Sequence, residues 1–104
     1  MNIFDNIPEN FKDEISTILL KKKNVRIEKI ISNGQTSKDN FWYDQNEDEW
    51  VIVLQGKGEI TYKDNSKEML STGDYTFIPA HKKHRVSFTS KNPPCVWLCV
   101  FIGK

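Results

Sequence analysis

The chain has 104 residues, with 15 Lys and Arg against 14 Asp and Glu and a formal charge of +1. That length suits one domain around one modest core. The near-neutral balance supplies no long-range field for a polyanion, so neither nucleic acid nor an anionic membrane is an expected partner.

Residues 1–10 carry acidic side chains and no apolar stretch of signal-peptide type. The longest apolar run, Cys95–Ile102, is far too short to cross a bilayer as a helix. The expectation is a soluble, cytoplasmic protein. Phe11, Ile15, Ile18 and Leu19 recur at helical spacing after Pro8, which predicts a short amphipathic helix within residues 1–24. The cluster Lys21-Lys22-Lys23 would sit at its C-terminal end, where the helix dipole favours cations.

From residue 25 to 104 the pattern is that of strands. Val25–Ser32 leads, and Asn33-Gly34 turns. Phe41, Trp42 and Tyr43 make a compact aromatic strand. Further strands are expected at 49–55, 59–62, 67–70, 75–78, 84–89 and 95–102, separated by Gly56-Lys57-Gly58, Asp64-Asn65, Thr72-Gly73-Asp74 and Asn92-Pro93-Pro94. Short strands at such regular spacing predict an antiparallel sandwich or barrel. Cys95 and Cys99 share one face of the last strand, about 13 Å apart. A disulfide needs less than about 7 Å, so both are expected as free buried thiols. The last strand is apolar on both faces, and Trp50 points away from the barrel interior. Both features ask for cover, and a homodimer is expected to supply it.

Two segments carry the candidate site. The first reads Glu49-Trp-Val-Ile-Val-Leu-Gln-Gly56, the second Gly73-Asp-Tyr-Thr-Phe-Ile-Pro79-Ala-His81-Lys-Lys-His84. Glu49 shares a strand face with Val51 and Val53, and His84 shares one with Val86 and Phe88. Those apolar companions mark the face turned into a barrel. A carboxylate and an imidazole would then meet inside one cup.

These residues resemble the cupins, small jelly-roll β-barrels. The spacing of Glu49 and Gly56 is similar to the second half of the first cupin motif, G-x5-H-x-H-x3,4-E-x6-G. Gly73, Pro79 and His84 fit the second, G-x5-P-x-G-x2-H-x3-N. The resemblance implies an all-β jelly-roll barrel, preceded here by the short helix. In cupins that bind metal, the ligands are the two His and the Glu of the first motif and the His of the second. Here the H-x-H places fall on Tyr43 and Gln45 or on Trp42 and Asp44, and the second motif's glycine and asparagine are His81 and Phe88. Only Glu49 and His84 carry over directly.

Three readings of that pair stay open. In one, Glu49 and His84 bind a divalent metal (Zn, Mn, Fe or Ni) with help from Asp44 or Gln45. The barrel mouth then takes a small molecule, for binding or for oxygenase, isomerase or lyase chemistry. In another, they are a metal-free polar pair that orients a small ligand or moves a proton. In the third, they are a structural pair that closes the barrel. Tyr43 and His81 are the candidate ligand-contacting side chains.

Overall fold

The computed structural model describes residues 1–103 and contains eight strands. They are β1 (Ile15–Lys22), β2 (Val25–Ser32), β3 (Asp48–Gln55), β4 (Lys57–Tyr62), β5 (Lys67–Ser71), β6 (Tyr75–Ile78), β7 (His84–Thr89) and β8 (Cys95–Ile102). A five-stranded sheet in the order β1-β2-β8-β3-β6 faces a three-stranded sheet in the order β5-β4-β7. Every pairing is antiparallel. Between the sheets lie Val51, Val53, Ile60, Tyr62, Leu70, Ile78, Cys95, Trp97, Cys99 and Phe101, all buried. Alternation places them there: in β8 the odd-numbered residues face in, opposite Val51 and Val53 of β3.

The expected N-terminal helix is not formed. Residues 15–22 are β1, paired with β2 from Ile15↔Ile31 to Lys22↔Val25. Helical spacing of four apolar residues could not prevail, because an isolated short helix is marginal in water and β2 offers an open ladder edge. One extra residue, Leu19, bulges between Ile18 and Leu20. With the lysines at the end of β1, that bulge blunts an exposed sheet edge.

The aromatic segment 41–43 is also not a strand. Only Tyr43 bridges, to His84. The loop it belongs to runs along the free edge of β7. There Ser37 N–H donates to Val86 O at 2.8 Å and Tyr43 N–H to His84 O at 2.7 Å. Backbone groups that would otherwise stay unpaired are thereby satisfied.

The outer face of β8 is covered in part by the chain's own start. Val96 and Ile31 are buried there, and beside them Lys29 sends its ammonium to the carbonyls of Ile3 (3.2 Å) and Asp5 (3.1 Å). A buried ammonium needs such acceptors. Lys29→Met is therefore expected to release residues 3–5 from the sheet. Trypsin should then cut after Lys12 about tenfold faster, as two hydrogen bonds to a charged group disappear. An unchanged cleavage rate would show that the lysine does not hold the segment.

Candidate functional site

Glu49 is the second residue of β3 and His84 the first of β7, each on the inward face of its sheet. They are 8% and 5% exposed. His84 Nε2 lies 3.6 Å from Glu49 Oε1. The opposite imidazole nitrogen, Nδ1, lies 2.8 Å from the carbonyl oxygen of Lys82. A carbonyl only accepts, so Nδ1 carries the hydrogen. Nε2 is thereby the end of the ring turned toward the Glu49 carboxylate and free to exchange a hydrogen bond or a proton with a ligand.

The pair is braced on three sides. The Gln45 side-chain amide donates to Glu49 Oε1 at 3.1 Å. Tyr43 stacks on the His84 ring with centroids 5.4 Å apart and planes inclined by 27°. Burial, reinforced by the Glu49 carboxylate that accepts its hydrogen bond, pushes the Cys99 thiol well above its ordinary value. Cys99 therefore stays a neutral donor to Glu49. Burial also raises the Tyr43 phenol, with Glu14 adding to the effect. Tyr62 lies beyond, 6.4 Å from the His84 ring.

Glu49, His84, Gln45, Tyr43 and Cys99 surround a cavity of about 100 Å³. Its apolar walls include Val51, Ile78, Trp97 and Phe101, and Glu14 also lines it. A larger surface hollow lies elsewhere, among Phe11, Gly34 and Lys91, away from the pair.

The geometry decides between the two first-motif alignments. Tyr43 and Gln45 line the cavity. Trp42 lies outside, between the Lys63 ammonium (4.9 Å from the ring centre) and the Arg85 guanidinium (5.6 Å). Asp44 is turned out as well: its Oδ1 meets His81 Nδ1 at 2.7 Å, both side chains are exposed, and neither lines the cavity. His81 has a left-handed backbone (φ 65°), and its N–H donates to Gln45 O at 2.8 Å. Glycine adopts that φ without cost, which explains why the motif has glycine there.

Phe88 departs from the inward row predicted for it. The register shifts between Glu59 and Ile60, and two residues of β7 oppose one bond of β4. The shift reverses the alternation beyond Val86, leaving Phe88 43% exposed and Thr89 buried.

A cupin metal centre needs donors in number. Catalytic zinc sites, for comparison, carry three protein ligands and an open position. Among the described residues, no three His, Cys, Asp or Glu side chains are grouped to hold a metal ion. Glu49 and His84 supply two donors. Gln45 presents its amide nitrogen to Glu49. The residues present do not fit a tightly held metal.

Cys99 and Glu14 escaped the sequence analysis as site residues. Cys99 was detectable: it shares the inward face of β8 with Trp97 and Phe101. Glu14 had no signal, because it lies in the segment expected to be helical.

The comparisons agree with this architecture. The profile of the family described as "Cupin domain" matches residues 30–101. A Ralstonia eutropha JMP134 protein named a "putative mannose-6-phosphate isomerase" is 42% identical, with 100% of this chain and 97% of that one covered and a TM-score of 0.94. A cupin superfamily protein from Desulfitobacterium hafniense DCB-2 is 22% identical over 94% of this chain and 84% of that one, with a TM-score of 0.77. A conserved Streptococcus pyogenes protein of unknown function is 18% identical over 100% and 86%, at 0.79. The last two speak for the fold alone. Among curated proteins none matches. The family match covers most of the barrel and includes both inward polar residues, Glu49 and His84, so the chain belongs to the cupins.

Proposed function

We propose that this cupin holds a small polar molecule in the barrel, with the Glu49–His84 pair as its anchor and proton carrier, and that it does so without a tightly bound metal. The observation that carries the reading is the position of the pair: a buried carboxylate and imidazole, 3.6 Å apart, on the wall of a cavity of about 100 Å³. Buried ionisable groups facing a cavity are where binding and proton transfer are found. With Nδ1 tied to the Lys82 carbonyl, the ring is held so that Nε2 meets Glu49. A hydroxyl or carbonyl of the ligand can exchange hydrogen bonds with that pair, and a proton can pass to it.

The Ralstonia relative's name raises the question of a sugar phosphate. The cavity has volume for about three waters at ~30 Å³ each, which a hexose phosphate far exceeds. Among the described residues, no Lys or Arg lines it to receive a phosphate.

Glu49→Gln keeps the shape of the side chain and removes its charge. It is expected to leave the fold intact and weaken binding of a small alcohol or amine by about tenfold or more, measured by calorimetric titration. Undiminished binding would refute the role given to Glu49. Elemental analysis of protein purified without a tag or chelator is expected to find well under one divalent ion per chain. A stoichiometric ion that survives dialysis would overturn the metal-free reading.

We also propose a homodimer built on the outer face of the five-stranded sheet. Trp50 stands opposite Phe77 and Val100 on that face, with Tyr75 5.5 Å away ring to ring. Phe77 and Tyr75 are 52% and 65% exposed. Clustered aromatics on a flat sheet favour burial against a second copy. Sedimentation velocity at tens of micromolar is expected to give a dimer, and Trp50→Lys a monomer. A monomeric wild-type chain would contradict this.

A further inference from the structure

The cavity has a charge character that narrows what it takes. Its titratable carboxylates are Glu49, on the wall, and Glu14, whose exposed residue places it at the rim, where its Oε2 accepts from Ser32 Oγ at 3.0 Å. Among the described residues its only basic group is His84. His84 stands 3.6 Å from Glu49, and Glu14 is a second carboxylate with no basic lining residue of its own among the described residues. Both carboxylates bear on the same interior groups, since each helps to hold the Tyr43 phenol and the Cys99 thiol in their protonated forms.

The nearby cations are engaged elsewhere. Arg26 lies with its guanidinium 4.3 Å from the Phe101 ring centre and pairs with Glu28 (2.6 Å) and Glu47 (3.0 Å). Lys82 lies over the Tyr62 ring at 4.2 Å. Neither lines the cavity. The remaining walls, Val51, Ile78, Trp97 and Phe101, are apolar, and the two aromatic rings tolerate a cation as well as an alkyl group.

Resting on the pocket reading above, we infer that the cavity selects a small organic monocation: an alkylammonium of about five heavy atoms, its charge toward Glu14 and Glu49 and its carbon body against Val51, Ile78 and Trp97. The size follows from the volume, the charge from the unbalanced carboxylate, and the aliphatic body from the apolar wall. An anion of the same size would meet Glu14 and Glu49 with no lining Lys or Arg among the described residues to offset them.

The test uses three probes with one carbon skeleton: isobutylammonium, isobutanol and isobutyrate. Each is titrated into the full chain while the ring signals of His84 and Trp97 are followed by nuclear magnetic resonance. The ammonium is expected to bind at least about tenfold more tightly than the alcohol, and isobutyrate to leave both signals in place. Glu14→Gln should lower the ammonium affinity by about tenfold and leave the alcohol's nearly unchanged. Alcohol binding equal to or tighter than the ammonium, or any preference for isobutyrate, overturns the cation assignment while the pocket stands. If none of the three moves either ring, the pocket reading falls together with this one. The comparison of probes on the unaltered chain decides the matter even if the variant does not fold.

Discussion

Gly58→Ala is expected to destabilise the barrel by about 3 kcal/mol, lowering the melting temperature by roughly 12 °C or more. Gly58 lies in β4, opposite Leu70 on one side and Thr89 on the other. A methyl group at its Cα would fall inside the indole of Trp97, against Cη2 and Cζ2. Trp97 cannot retreat easily, because it is buried and sits in the centre of the core cluster. Interiors packed to native density transmit such an overlap to their neighbours. The mechanism has its own check. With Trp97→Phe in the same chain, the loss should be smaller than the sum of the two single losses, since the smaller ring vacates the space that the methyl needs. Additive losses in thermal unfolding would show that the indole is not the obstacle.

His84→Leu is the second large effect. It removes the partner of a buried carboxylate and leaves Glu49 with the Gln45 amide and the Cys99 thiol as its neighbours. Breaking a buried pair from one side is expected to cost about 3 kcal/mol. Replacing both members, Glu49→Leu with His84→Leu, removes the charge together with its partner. That double variant should recover to within about 1 kcal/mol of the wild type. Chemical denaturation of the four members of this cycle measures the coupling. Recovery in the double variant, together with loss of ligand binding, means the pair is kept for function at no gain in stability. A double variant as unstable as the worse single one would mean instead that the pair closes the barrel.

The binding cavity and the pair stand in a definite relation to stability. The Glu49 carboxylate accepts from Gln45 Nε2, so it is not left to the cavity alone. Around it the Gln45 amide donates to the carboxylate and His84 Nδ1 to the Lys82 carbonyl. Among the described buried side-chain atoms, only Arg85 Nε lacks a hydrogen-bond partner, and it lies on the far side of β7 beside Trp42.

Much of this was legible in the residues. Seven of the eight strands follow from alternation between glycine, asparagine and proline turns. Gly56 and Gly73 adopt the positive φ values, 81° and 91°, that such turns need. The inward positions of Glu49 and His84 followed from their apolar row-mates, because a strand's side chains alternate strictly between two faces. Tertiary structure decided the rest. Residues 15–22 are a strand because β2 had an edge to offer, a fact about neighbours far along the chain. Phe88 faces out because one bulge, invisible in any spacing, reverses alternation after Val86. Tyr43 and Gln45, rather than Trp42 and Asp44, face the cavity because the loop's bridge to His84 sets its register. Local pattern reports which face a residue takes within its own strand. Which partner that face meets depends on loop paths and registers that arise only when distant segments pack together.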